Sequence, residues 1–361
     1  MNWGELITLE YGKPVKDKES TDGKVPVYGT NGQIGTSHLP AQCKHPSFIL
    51  GRKGAYRGVH YSDCPFSVID TAFYAEPLTD RIDLKWAYYK FLTYDINGMD
   101  SGSAIPSTDR YQIYSIEVEV PPLEKQRKIV AVLDCIDRKI NINQKINDNL
   151  QQQAVTLFKS WFVDFSLFGG TVPENWEDTT LENITTLITR GIAPKYSNDS
   201  DQTVINQKCI RNHTIDLSLA RSHTPKAINE KWLQFGDLLI NSTGDGTLGR
   251  VAQVWFAPKA LTVDSHVTIV RPAREELIFY IGLWGILHEK EIESLHTGST
   301  GQTELPRDRV KMLKLLLPDN ISLSRFNSII APMTSTIISN QEENQKPVSY
   351  THLRAHETRS N

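Results

Sequence analysis

Apolar residues fall alternately four and three apart along one stretch of the chain: Ile129, Leu133, Ile136, Ile140, Leu150, Ala154, Leu157 and Trp161. Asn143 and Asn147 take the two remaining positions, and no Gly or Pro interrupts Leu123 to Trp161. The spacing predicts a heptad seam on a single helix. The helix starts after Pro121-Pro122 and would be a rod of roughly 50 Å. Asparagines on such a seam fix register between paired helices at some cost in stability. A long amphipathic helix packed on its own domain would show the same apolar spacing.

Strand-like runs flank the rod. Phe48-Ile49-Leu50 and Leu238-Leu239-Ile240 each lead into a Gly-rich turn, Gly51 to Gly58 and Gly244 to Gly249. Asn2-Trp3-Gly4 answers Asn175-Trp176-Glu177, Val68-Ile69-Asp70-Thr71 answers Thr262-Val263-Asp264-Ser265, and Ser101-Gly102-Ser103 answers Thr297-Gly298-Ser299. The order is kept while the offset grows in one direction, from 173 to 196 residues. That drift suggests an internal duplication with insertions in the second copy. Each copy is predicted to end in an apolar strand closed by proline, Ile116 to Pro122 and Leu313 to Pro318.

A duplicated chain should repeat its rod. Leu323, Phe326, Ile330, Met333, Ile337 and Asn340 carry the same three-four spacing, and Pro332 is expected to kink that helix. The predicted class is α+β, with a first domain at 1–122, a helix at 123–162, a second domain at 163–318, a second helix at 319–346 and a tail at 347–361. The helices are natural partners for each other. The expected pairing residues are Ile129, Leu133, Ile136, Ile140, Asn143, Asn147, Leu150 and Leu157 against Phe326, Ile330, Met333 and Ile337. An antiparallel two-helix coiled coil would give the two domains a pseudo-twofold relation.

The run Pro121-Pro122-Leu123-Glu124-Lys125-Gln126, followed by Leu133, Asp137, Lys139, Ile140 and Asn141 and then by Leu157-Phe158-Lys159-Ser160-Trp161-Phe162, resembles the central region of Type I restriction-modification specificity subunits. Pro173-Glu174-Asn175-Trp176 and Thr297-Gly298-Ser299 resemble landmarks of that family's target-recognition domains, so the resemblance covers residues 1 to about 346. It implies a subunit without catalysis of its own. Each recognition domain would read one half of a split site in double-stranded DNA, while the helices serve as a ruler and dock two modification subunits. Restriction subunits would complete the system. S-adenosylmethionine, ATP and Mg are implied for those partners and no cofactor for this chain. The sequence departs from the family where the second helix should continue: Lys346-Pro347-Val348-Ser349-Tyr350-Thr351-His352-Leu353-Arg354-Ala355-His356 has no heptad spacing and reads as translated vector sequence.

A net charge of −3 supplies no bulk attraction for a polyanion, so DNA binding would have to come from local cations. Arg forks onto guanine edges and Asn or Gln onto adenine, and Gly lets backbone approach a ligand closely. The candidates are Tyr28, Asn31, Arg52, Lys53, Arg57 and Arg110 in the first copy, and Lys195, Arg211, Asn241, Thr243, Arg250, Gln302 and Arg307 in the second. For each residue alone, a solvated loop cation or a turn former is the plainer reading.

Four scattered cysteines without a CxxC pair fit reduced thiols, with neither a zinc site nor a disulfide framework. The N-terminus lacks the layout of a signal peptide and no apolar run would span a membrane, so a cytoplasmic location is expected. Gly244-Asp245-Gly246-Thr247-Leu248-Gly249 spells G-x-G-x-x-G, but a dinucleotide site needs that loop to open a helix. Arg250 to Phe256 alternates like a strand, which predicts a hairpin turn and no metal or nucleotide chemistry there. Phosphate-loop, zincin and serine-hydrolase motifs are missing, as is the Asn-Pro-Pro-aromatic motif of adenine methyltransferases. Two rival classes remain at this stage, a coiled-coil scaffold without DNA function and a nucleotide-dependent enzyme.

Overall fold

β4 (Ser47–Gly51) realises the first apolar run, and all five of its residues are buried. Successive strand side chains point to opposite faces. Phe48 and Leu50 accordingly join Trp3, Trp86 and Phe91 in one core, while Ile49 joins Phe66 and Val68 in another. A strand covered on both faces reads as a continuous apolar run rather than an alternating one.

The computed structural model describes residues 1–99, 106–197, 200–244, 246–298 and 303–357, with side chains described through Lys346. Two compact units divide the chain, residues 1–140 with 347–361 and residues 141–346. In the first unit, β1 (Ile7–Tyr11), β2 (Val25–Gly29) and β3 (Gly32–Ser37) precede β4, and β5 (Val59–Ser62), β6 (Ser67–Val68) and β7 (Ala72–Pro77) follow it. They build a four-stranded antiparallel sheet in the order β1-β7-β4-β5 and a three-stranded sheet β3-β2-β6, in which β2 and β6 run parallel. α1 (Leu84–Phe91) is capped by Asp83, whose carboxylate accepts from the amides of Lys85 and Trp86, and it buries Trp86, Ala87 and Phe91. α2 (Arg110–Ser115) is capped by Asp109.

The expected strand from Ile116 to Pro122 does not form. Met1 to Trp3 offer it one isolated bridge, Asn2 to Glu117, and amide bonds from Val118 to Met1 and from Trp3 to Ile116, too few for a ladder.

α3 (Leu123–Phe162) is a single helix of 40 residues, about 60 Å at 1.5 Å per residue. Its first half belongs to the first unit. Ile129 and Val130 pack on that unit's core. Gln126 is fully buried: its amide donates to the carbonyls of Arg81 and Pro121 (2.8 and 2.7 Å) and accepts from the amide of Asp83 (2.8 Å). Tyr89 donates to Asp134 and Asp137, and Lys85 pairs with Asp134 at 3.2 Å. The start of the seam is thus shared with the helix's own domain.

In the second unit, β8 (Glu177–Thr180), β9 (Thr185–Arg190), β10 (Thr203–Ile205), β11 (Ile210–Arg211), β12 (Thr214–Ile215), β13 (Arg221–Ser222), β14 (Leu238–Asn241), β15 (Val251–Gln253), β16 (Leu261–Val263) and β17 (Val267–Pro272) lead to α4 (Ile278–Leu287), α5 (Glu289–Ser294), α6 (Arg307–Lys311), β18 (Lys314–Leu317) and α7 (Asn320–Glu357). The main sheet runs β9-β17-β14-β15, and β10 pairs parallel with β16. First strand beside last, last beside the apolar strand, apolar strand beside its hairpin partner: this is the order of the first unit. Gly12 and Gly191 also correspond, since a Cβ at either would collide with two carbonyl oxygens, of Val68 and Ile69 or of Val263 and Asp264. The strand expected at Leu313 to Pro318 forms as β18, paired over four residues with β8.

The second half of α3 lies against α7 within this unit. Asn143 donates to Glu343 and Asn344, both at 2.9 Å, and Asn340 donates to Asn147 at 2.8 Å. Climbing α3 therefore means descending α7. Farther along, Phe158, Trp161 and Phe162 surround Phe326 at ring distances of 6.0, 5.6 and 4.8 Å. Phe158 and Phe162 lie off the predicted seam yet belong to this core with Ile330, because α4 supplies Tyr280 as a further partner. α7 continues past Pro332 without a break in its helical assignment, and its backbone stays helical beyond Lys346 as far as Glu357, past the end expected from the pattern.

Candidate nucleic-acid interface

In both units the apolar strand, β4 or β14, ends level with the last residue of the sheet's first strand, one strand away across β7 or β17, and the candidate cations gather there in the first unit. Tyr11 closes β1, opposite Phe73. Arg52 leaves β4, its amide held by the Thr71 carbonyl at 2.8 Å and its guanidinium by the Asp70 carbonyl at 2.9 Å. Arg110, the first residue of α2, reaches the Leu9 carbonyl at 3.4 Å. Both guanidinium carbons lie 4.8 Å from the centroid of the Tyr11 ring, and Arg110 lies over Tyr111 as well, at 5.2 Å. The ring's negative face offsets part of the repulsion between two cations. An anion would relieve the remainder. Among the described residues, Lys53 alone of these cations is matched by an acid, Asp70 at 3.8 Å.

Other first-unit candidates lie elsewhere. Asn31 is exposed at the β2–β3 hairpin tip. Tyr28 is half-buried, packed edge-on to Phe66 in the smaller core. Arg57 is 2% exposed; it donates to the carbonyls of Ile96 and Asn97, and its Nε and Nη1 have no partner among the described residues. The interior takes up these last two side chains. Ser101-Gly102-Ser103 lies outside the described residues.

The second unit presents different chemistry at the corresponding place. Asn241, at the end of β14, is buried; its amide donates to the Gln207 carbonyl at 3.1 Å and its Oδ1 has no partner among the described residues. Beside it the Thr243 hydroxyl meets His266 Nδ1 at 2.6 Å and Gln207 Oε1 at 3.2 Å. Asp264, below, accepts from the His266 amide, and burial raises its carboxyl above the usual range. Arg190 stands where β1 has Tyr11, but Glu304 neutralises it at 2.5 Å. The G-x-G-x-x-G segment is the expected hairpin turn: β14 and β15 pair antiparallel, and Gly244, Gly246 and Gly249 all have positive φ. Arg250 closes that turn by donating to the Gly246 carbonyl at 2.7 Å.

Lys195 is exposed next to Tyr196, over which Arg221 lies at 3.6 Å. Arg211 is exposed on the β11–β12 hairpin, and Arg307 begins α6 with Asp308 at 3.7 Å. Gln302 lies outside the described residues. The sequence reading missed Tyr11, Tyr111, Gln207, Tyr196, Arg221 and His266. Arg110-Tyr111 and Lys195-Tyr196 carried a local signal, an aromatic beside a cation; the other contacts join residues distant along the chain.

The first unit's main sheet thus ends in two guanidiniums that share one aromatic ring and, among the described residues, face no carboxylate. Residues 2–152 match the family described as Type I restriction modification DNA specificity domain. The specificity subunit of the MjaIX Type I restriction enzyme of Methanocaldococcus jannaschii is 24% identical over 294 residues, 73% of this chain and 65% of that protein. The HindI specificity subunit of Haemophilus influenzae is 36% identical over 78 residues, 22% of this chain and 16% of that protein. The chain thus spans less than two thirds of the length of these relatives. The crystal structure of a Type I restriction-modification S subunit from M. genitalium has the same fold, with a TM-score of 0.61 at 15% identity, covering 98% of this chain and 94% of that one. Among the described residues, no helix is long and apolar enough to cross a membrane.

Proposed function

We propose that this chain is the DNA-sequence specificity subunit of a Type I restriction-modification complex, each unit reading one half of a split site and neither performing catalysis. One observation carries the reading: the same strand order occurs twice, and each time polar side chains suited to DNA lie at the end of the apolar strand, guanidiniums over Tyr11 in one unit and the Thr243–Gln207–His266 group beside buried Asn241 in the other. Duplication explains the repeated order. α3 and α7, taken as an antiparallel coiled coil, would set the unread spacer between the half-sites and carry the docking surfaces for modification subunits. DNA and those subunits are the partners; a target adenine would be flipped and methylated by them, outside this chain.

The test is a genome-wide adenine methylation map of cells co-expressing the chain with a cognate modification subunit, against cells with the modification subunit alone. A new split motif, methylated on opposite strands in its halves, is the expected result. Exchanging residues 1–120 for another family member's first domain should then change one half only. A scaffold without DNA function would give no new motif and no salt-sensitive DNA binding.

A further inference from the structure

Cys43, His45 and Glu76 form the one group among the described residues that brings metal-ligating side chains of three kinds together, with ligand atoms all within 4.8 Å of one another. The backbone holds them firmly. Cys43 exchanges two amide bonds with Phe66 (2.9 and 3.1 Å), and Glu76 stands in β7 opposite Thr8.

His45 Nδ1 lies 3.0 Å from the Pro46 carbonyl, which can only accept, so Nδ1 carries a proton. A neutral ring then turns the lone pair of Nε2 toward Glu76 Oε2 at 2.6 Å, itself an acceptor, and toward Cys43 Sγ at 3.9 Å. Two lone pairs at that distance repel unless a positive charge lies between them. A second ring proton would also satisfy the carboxylate, with the buried thiol donating to the His45 carbonyl at 3.2 Å, and it is the alternative to a metal ion here. A metal ion would instead draw all three ligand atoms, which already lie within 4.8 Å of one another, to one centre.

Tetrahedral zinc with Cys, His and carboxylate ligands places ligand atoms about 3.4–3.6 Å apart. The sulfur–nitrogen distance is already close to this, and Glu76, whose side chain is 34% exposed, has room to withdraw by the remaining fraction of an ångström. The Pro46 carbonyl on the opposite ring nitrogen is the outer partner that orients a metal-bound histidine. We propose that Cys43, His45 and Glu76 bind a borderline-soft divalent cation of the zinc class, with water in the fourth position on the side where His45 and Glu76 meet solvent. The site lies at the ends of β4 and β7 away from Gly51 and Ala72, so the ion would staple the segment entering β4 to β7 without touching the candidate DNA contacts.

The test is titration of chelator-treated full-length protein with Co(II), followed by displacement with Zn(II). The expected result is one cobalt per chain with a thiolate charge-transfer band, abolished in Cys43→Ala and at least about tenfold weaker in His45→Gln and Glu76→Gln, as for loss of a ligand contact. Zn(II) should raise the unfolding midpoint of wild type and not of these variants. His45 and Glu76 are partly exposed, so their variants decide the matter even where Cys43→Ala fails to fold. Folded wild type that binds no cobalt, with nitrogen NMR showing His45 doubly protonated, would mean that a proton holds the site together and would overturn the proposal. So would cobalt binding unchanged in Glu76→Gln and His45→Gln.

Discussion

Arg52→Ala tests the candidate interface most sharply, because what the residue does for the fold and what it would do for DNA separate cleanly. Among the described residues its side chain makes one hydrogen bond, Nη1 to the Asp70 carbonyl, and lies over Tyr11 and Phe73. The rest of the guanidinium fork stays open. Losing a cation–aromatic contact at a partly exposed site costs about 0.5–1 kcal/mol of stability, so the variant stays folded. Losing a bidentate base contact costs about 1–3 kcal/mol of discrimination, roughly 5- to 150-fold in affinity for the recognised site. Arg52→Lys keeps the charge without the fork, so it should lose most of the specific affinity and little of the non-specific affinity. The assay is fluorescence anisotropy of the chain co-purified with its modification subunit, on the duplex found by methylation mapping and on a scrambled duplex, at two salt concentrations. Folded Arg52→Ala that binds both duplexes like wild type would refute the assignment of Arg52 to the interface.

Phe158→Ala empties a position 1% exposed among Phe162, Tyr280 and Phe326 and should cost about 3–5 kcal/mol, read as a lowered unfolding midpoint; a loss below about 1 kcal/mol would contradict the packing. Asp319 caps α7: burial alone would raise its pKa, but bonds from the Ser322 amide and hydroxyl, the Trp176 indole and the Ile321 amide outweigh burial and hold it at about 2, below its ordinary 3.8. Its stabilisation is therefore complete above 3.8 and is lost as pH falls through about 2, so the stability gap between wild type and Asp319→Ala should narrow on acidification in denaturant titrations. A gap that widens toward low pH would reverse the sign of this argument. Replacing Asn143 and Asn147 together by Leu should raise the melting midpoint while admitting a second register, visible as two distances between spin labels on α3 and α7; one unchanged distance would show that the aromatic core alone sets register.

Local periodicity made the helices and the apolar strands legible. Leu123–Phe162 follows from three-four spacing bounded by prolines, and β4 and β14 follow from apolar runs bounded by glycines. The nucleotide-like loop could be dismissed because the alternation after it belongs to a strand. The candidate interface was legible only in part. Arg52 and Arg110 were singled out as cations, yet Tyr11, the ring that brings them together, lies 41 and 99 residues away in sequence. Arg57 and Asn241 have the side-chain chemistry of DNA contacts and were drawn inside, since short-range composition says nothing about which backbone carbonyls a folded chain leaves without donors. The three ligands of the proposed metal site escape spacing rules for the same reason: Glu76 reaches Cys43 and His45 only through the pairing of β7 with β4.

By itself, then, the sequence determined the long helices, the apolar strands and the positions of the polar residues on the long seam, because helix and strand periods are properties of adjacent residues. Tertiary structure alone decided which partner each stretch of that seam meets. Gln126 and Ile129 lie against the first unit, while Asn143, Asn147 and Phe158 lie against α7 and α4. A heptad pattern specifies that an apolar face must be covered, and the cover that wins is the one whose own buried donors and rings complement it.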